Sequence, residues 1–239
     1  SNRLKDAFIA NISHEIRTPL NGILGMTNII REMLSPHIAK DDEIFFEGIE
    51  ISSKRIIRTI DMIINYSRVL VGEFKTEQKN NNLDQICRNL IKELGYLASA
   101  KSLELIYENK YGMANIFGDE YAITQSISNL MENAIKFTQE GFVKITLYKD
   151  ENGDINLDIS DTGIGIKNEY IQYIFEPYRQ EEMGYGRKYE GVGLGLALVK
   201  KLINLNNFSI SVSSLKGEGS TFTINFGSST TAFKNLEDV

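Results

Sequence analysis

Three groups of residues combine types and spacings that can do chemistry. The first is Ser13-His14-Glu15-Ile16-Arg17-Thr18-Pro19-Leu20-Asn21. An imidazole is a nucleophile at neutral pH, and an adjacent carboxylate can orient it or take its proton. Thr18 follows at i+4, one helical turn above His14. The second group is Gln125, Asn129, Glu132, Asn133 and Lys136. At helical spacing these fall within about 100° of one another, opposite Ile123, Ile127, Leu130 and Ala134. Amide oxygens and a carboxylate suit a hard cation such as Mg²⁺, and a lysine suits phosphate. The third is a pair of glycine-rich strings, Asp161-Thr162-Gly163-Ile164-Gly165-Ile166 and Gly191-Val192-Gly193-Leu194-Gly195-Leu196. An aspartate at a strand end can accept a hydrogen bond from an exocyclic amine such as adenine's, with glycines allowing close approach to a flat ring. Glycines opening a helix let its free N–H groups converge on a phosphate. The polar stretch 181–190 before the second string is no strand, which excludes a dinucleotide-binding turn.

Taken singly, each group also has a plainer reading: a surface histidine, a solvated helix face, ordinary turns. The elements that carry the groups decide between the readings. Ile9, Ile16, Ile23 and Ile30 recur every seven residues, and Ile12, Pro19, Met26 and Met33 form a second row offset by three. That is the seam of a helix bundle, and it places His14 on the opposite, exposed face. Pro19 predicts a bend just past the histidine. The first helix is expected over 3–34 and a second over 43–71, striped by Ile49, Ile56, Ile60, Ile63, Ile64 and Leu70. His37 falls in the loop between them and reads as a plain loop residue. Two helices cannot bury both stripes alone, so a homodimeric four-helix bundle is expected.

The stretch 73–82 is polar and reads as a linker between domain 1–72 and domain 83–228, with a frayed tail at 229–239. In the second domain helices are expected over 83–101, 119–137, 168–174 and 194–206. Strands are expected over 103–107, near Ile116, and over 142–149, 154–160, 208–214 and 220–226. Glu151-Asn152-Gly153 signals a hairpin. The fold class is multidomain: an all-α hairpin followed by an α+β two-layer sandwich.

Composition narrows the class. The 239 residues are 42% hydrophobic and 24% charged, with a net charge of −6. There is no electrostatic case for nucleic acid. No apolar run is long enough to cross a membrane. The single cysteine, Cys87, excludes an internal disulfide, and its spacing from Leu83, Ile86, Leu90 and Leu94 puts it on a buried helix face. The chain reads as the cytoplasmic part of a larger sensor, with any membrane anchor upstream.

The string around His14 resembles the H-box of sensor histidine kinases. The later motifs resemble the catalytic and ATP-binding domain that these kinases share with Hsp90-type chaperones and mismatch-repair ATPases. Asn129-Leu130-Met131-Glu132-Asn133 matches the N box, Asp161 to Gly165 the G1 box, and Phe175-Glu176-Pro177-Tyr178 the F box. Gly191 to Gly195 matches the G2 box, and Gly217-Glu218-Gly219-Ser220-Thr221 the last glycine motif. The resemblance implies ATP and Mg²⁺ as cofactors and His14 as phosphoacceptor, with Glu15 as general base. It implies that Asn133 helps hold Mg²⁺, that Asp161 reads the adenine amine, and that Asn129, Lys136 and the 191–195 turn meet phosphate. Phe137, Gly163, Gly165, Gly193, Leu194, Gly195 and Thr221 belong to the same implied nucleotide site, and 184–190 to a lid over it. Arg179 is one place earlier than the arginine many relatives carry, closer to hybrid kinases. Asn206-Asn207 stands where a glycine pair is common, and asparagine tolerates the left-handed backbone of a helix end.

The implied function is autophosphorylation of His14 and transfer of the phosphoryl group to an aspartate of a response-regulator receiver domain. For Thr18, a phosphatase role toward that receiver and a plain helix position before proline stand level. Two rivals stay open: a conformational ATPase with an idle His14, and a nucleotide-binding scaffold without turnover. The loop over 35–42 sets whether phosphorylation runs in cis or in trans.

Overall fold

The structure is a computed structural model describing residues 2–34, 40–179, 181 and 192–228. The chain divides into two units, Ser1–Phe74 and Lys75–Val239. His37, most of the 35–42 loop, the 184–190 stretch, Gly191 and the 229–239 tail lie outside the described residues.

The first unit is two helices, α1 (Asn2–Leu34) and α2 (Lys40–Leu70). α1 continues through Pro19 as one helix. The helices meet along Leu20 and Thr27 of α1 and Ser53, Ile64 and Tyr66 of α2, all buried. Thr27 satisfies its hydroxyl by donating to the Ile23 carbonyl at 2.8 Å. At the edge of this contact Arg17 pairs with Asp61, and Arg31 lies 3.9 Å from Glu50. The heptad rows are therefore not the α1–α2 contact. Ile23, Met26, Ile30 and Met33 are left bare, Met26 at 69% and Met33 at 74% exposed, as are Ile49, Ile56, Ile63 and Leu70. The side chains of Ile9 and Ile12 lie outside the described residues.

The second unit is a two-layer α+β sandwich. A five-stranded sheet has the order β2 (Glu104–Asn109), β4 (Phe142–Lys149), β5 (Asp154–Asp161), β7 (Gly219–Ser228), β6 (Ser209–Leu215). Only the β2–β4 pair is parallel. Strict alternation sends Val143, Ile145, Leu147, Ile155, Leu157, Ile159, Phe222, Ile224 and Phe226 into one core. Onto that core pack α3 (Leu83–Ala100), α4 (Glu120–Phe137) and α6 (Gly195–Leu205). Cys87 is fully buried there, and burial pushes its thiol up to about 12. The other face of the sheet is polar, with Thr223 donating to Asp158 at 2.7 Å. The hairpin at Asn152 forms as expected: Asp150 accepts the Asn152 and Asp154 N–H groups, both at 2.9 Å.

Two expected elements differ. Residues 78–82 are not linker but a strand, β1 (Gln78–Asn82), paired antiparallel with β3 (Asn115–Asp119). Its sequence has little strand propensity. The pairing is fixed instead by Asn81, whose buried amide donates to Gly118 O at 2.8 Å and Lys79 O at 2.9 Å. The helix expected over 168–174 is one short turn, α5 (Asn168–Ile171), followed by turns.

Asn206 and Asn207 close α6 differently. Asn207 takes the left-handed conformation, φ +59°. Asn206 is buried. It accepts the Asp119 N–H at 2.7 Å and the Gln78 amide at 3.1 Å, and donates to Leu202 O at 2.8 Å. Asn206→Ala leaves the buried Asp119 N–H without an acceptor, and the expected loss is about 1–3 kcal/mol. A lower denaturant midpoint for the second unit measures it, and an unchanged midpoint would deny Asn206 this fastening role.

Candidate functional site

α4 is held at both ends. Asp119 caps its start, accepting the Ala122 N–H and the Glu77 N–H, both at 2.7 Å. At its end Lys101 donates to the carbonyls of Ile135 and Lys136 at 2.8 Å and of Thr138 at 3.1 Å. The apolar side, Ile123, Ile127, Leu130 and Ala134, is buried as expected. Of the polar stripe, Gln125, Glu132, Asn133 and Lys136 are half-buried and Asn129 is buried. Among the described residues, the Asn129 Nδ2 has no hydrogen-bond partner. A buried donor without an acceptor costs about 1–3 kcal/mol, so an acceptor brought by a ligand has somewhere to bind. Lys136 places its ammonium 4.8 Å from the centre of the Phe137 ring.

The Asp161 loop packs against the end of α4. Ile164 N–H donates to Phe137 O at 3.3 Å, and Gly163 N–H donates to Asp161 Oδ1 at 2.8 Å. Burial pushes the Asp161 carboxyl up to about 6, against the backbone N–H groups of Gly163 and Ser220, which hold it down. The glycines serve the chain's own packing as well as any ligand. A Cβ on Gly163 would come within 2.6 Å of Phe137 O, and one on Gly165, at φ +60°, would overlap the Leu215 carbonyl.

The F-box and G2 segments are joined. Tyr178, in the left-handed region at φ +62°, donates its N–H to Gly193 O at 2.9 Å. Gly193, at φ +74°, would be strained by any side chain and would bring its Cβ to 3.0 Å from the Tyr178 backbone. Leu194 is buried, so only its backbone can face a ligand. It caps α6 with no side-chain hydrogen bond, and the first turn of α6 carries no acidic residue. Those are the conditions that suit an anion at a helix start. Phe175 lies under the Lys200 ammonium at 4.9 Å. Arg179 is engaged by Glu176 at 2.9 Å and stacks on Tyr173 at 4.9 Å.

Thr221 is a correction. It pairs with Ser160, hydroxyl to hydroxyl at 2.9 Å, on the sheet face opposite Asp161. The residue opposite Asp161 in the β5–β7 register is Ser220, whose hydroxyl lies 3.0 Å from that of Ser214. The signal was available: with Phe222, Ile224 and Phe226 inward, period two puts Ser220 inward and Thr221 outward.

In the first unit, His14 and Glu15 lie within α1, and their side chains lie outside the described residues. Thr18 is exposed.

A carboxyl whose folded pKa is raised destabilises the fold where it is ionised. Asp161→Asn keeps the acceptor for Gly163 and removes the half-buried charge. The ligand-free variant is expected to be more stable by about 1–2 kcal/mol above pH 6. That gain should shrink as the pH falls through 6 and be small by pH 4, vanishing only below the ordinary carboxyl range, where the unfolded parent is neutral as well. Thermal melts from pH 4 to 8 test this, and a gain that does not depend on pH would contradict it.

Comparison with known proteins agrees with this arrangement. Residues 4–71 match the model of the His Kinase A (phospho-acceptor) domain. Residues 118–229 match the model of the histidine kinase-, DNA gyrase B- and HSP90-like ATPase. The autoinducer 2 sensor kinase/phosphatase LuxQ of Vibrio parahaemolyticus is 33% identical over 223 residues, 91% of this chain and 26% of LuxQ. The sensor histidine kinase GacS of Pseudomonas protegens is 35% identical over 232 residues, 94% of this chain and 25% of GacS. The chain thus spans about a quarter of the length of the curated relatives it matches. In fold, full-length ShkA in complex with AMPPNP superposes with a TM-score of 0.71 at 24% identity, covering 92% of this chain and 45% of ShkA. Acinetobacter baumannii histidine kinase AdeS gives 0.62 at 22% identity, covering 90% of this chain and 98% of AdeS. With the phosphoacceptor and ATPase parts in order along one chain, the protein belongs to the sensor histidine kinases.

Proposed function

We propose that the chain transfers the γ-phosphoryl group of ATP to His14 and passes it on to an aspartate of a receiver domain, separate or fused. The observation that carries the nucleotide half is Asp161, a half-buried carboxyl beside the end of α4, its charge opposed by desolvation. The adenine amine would donate to this carboxyl. Asn129, with its unpartnered buried N–H, Lys136 and the backbone of Gly193 to Gly195 would meet the phosphates. Arg179 would join them on leaving Glu176.

The donor set fits Mg²⁺: Asn133 offers an amide oxygen on the half-buried side of α4, next to Glu132. Bound there with ATP, the ion would offset phosphate charge. His14 attacks the γ-phosphorus through one ring nitrogen, a nitrogen–phosphorus bond forms, and the bond to the ADP oxygen breaks. Glu15 takes or orients the proton on the other ring nitrogen. Thr18, exposed one turn above His14, could orient a water for dephosphorylating the receiver, which would give the core both directions of control. We place the core in the cytoplasm, where ATP is available. In functional terms the hairpin 1–72 is the phosphoacceptor, and 83–228 with β1 is the nucleotide unit.

The bare rows on α1 and α2 favour a second copy as the hairpin's partner, making a four-helix bundle. Met26→Glu with Ile30→Glu should convert a dimer into a monomer in sedimentation experiments. A dimer surviving both changes would place the interface elsewhere.

Incubation with γ-labelled ATP and Mg²⁺ tests the chemistry. Acid-labile, base-stable label on the parent and none on His14→Gln is the expected result. Acid-stable label, or label retained in the variant, would move the acceptor away from His14. ATP hydrolysis without label would favour the conformational ATPase.

A further inference from the structure

Lys216 stands in the turn between β6 and β7, outside every motif above. Its ammonium donates to both oxygens of Glu181, at 3.0 and 3.1 Å, and to the Gly165 carbonyl at 3.4 Å. The turn itself is fastened to the Asp161 loop, with Gly217 N–H donating to Ile164 O at 2.9 Å. Glu181 lies three residues beyond Tyr178, the residue that holds Gly193 through its N–H. The Glu181 side chain is 18% exposed and that of Lys216 41%, so the carboxylate end of the pair is shielded from water while the ammonium end is not.

We propose that the Lys216–Glu181 ion pair sets nucleotide affinity by holding the adenine-reading loop at Gly165 and the phosphate turn at Gly193 in one arrangement. The proposal rests on the nucleotide reading above. The route runs Asp161, Gly163, Gly165 carbonyl, Lys216 and Glu181, and by the chain's own connectivity to Tyr178 and Gly193, with Lys216 as its long-range electrostatic link. The adenine loop does not need that link for its own shape, because the Phe137 carbonyl and Gly217 hold it independently. Both residues are positioning residues, and loss of the pair should be felt by a ligand that spans both ends. ATP is such a ligand, and adenosine, which lacks phosphates, is not.

The test measures binding of ATP with Mg²⁺ and of adenosine to the full chain, in the parent, Lys216→Met, Glu181→Gln and the double variant. Each single variant should weaken ATP about three- to fivefold at low salt. The double variant should be no weaker than either single one, and adenosine should bind all four alike. The parent's advantage should fade as salt screens the pair. Unchanged ATP affinity, additive losses, or equal losses for adenosine would each overturn the proposal. So would tighter binding by Glu181→Gln, which would make Lys216 a direct phosphate contact. Asp161→Asn separates the two levels. If it binds ATP like the parent, the nucleotide reading itself fails. If it loses ATP while Lys216→Met does not, only the coupling fails.

Discussion

The second unit's site depends on one carbonyl. Phe137 O, at the last residue of α4, receives the Ile164 N–H and comes so close to Gly163 that no side chain could stand there. Lys101 occupies the carbonyls on either side. At the other end of the helix, Asp119 and Asn206 tie α4 to β1, β3 and α6. The polar stripe and the carboxyl that ends β5 are therefore parts of one rigid frame. Positioning of this kind supplies most of what a protein contributes to phosphoryl transfer.

Two aspartates in this unit show how structure separates a fastening from a site. Asp84 accepts from Arg88 at 2.8 Å and from Tyr107 and Asn109 at 2.7 Å. Burial pushes its carboxyl up, but those hydrogen bonds outweigh the push and leave it below the usual range. It joins α3 to β2, with its charge already met by Arg88. Asp161 is opposed by burial and receives only backbone N–H groups in compensation. A carboxyl kept away from cations inside a frame built to hold it is poised for an external donor.

Most of the fold was legible because its causes are local. The alternation in 142–149 and 154–160 and the turn at Asn152 are written in a few adjacent residues, as is the polar stripe of α4. What was not legible depends on distant partners. Gln78–Asn82 has the composition of a linker and becomes a strand only because β3 is there to pair with it. Asn206 reads as a helix end, and nothing in its neighbourhood announces a bond to a backbone 87 residues away. The heptad rows on α1 were plain, but whether they meet α2 or lie bare depends on how two helices cross. At Thr221 the motif match and strand parity disagree, and parity, read from Phe222 and Ile224, points to Ser220.

The strain at Asp161 also bears on how long the protein lasts. A domain that partly buries a charge met only by backbone N–H groups is least stable empty, and any molecule that relieves the charge stabilises the folded state by mass action. Proteases act on the fraction of molecules that is transiently open. A ligand that satisfied Asp161 would therefore act as a folding chaperone for its own receptor. By the same linkage, an unfilled core would be the more readily opened one, so occupancy of the site would set lifetime as well as activity.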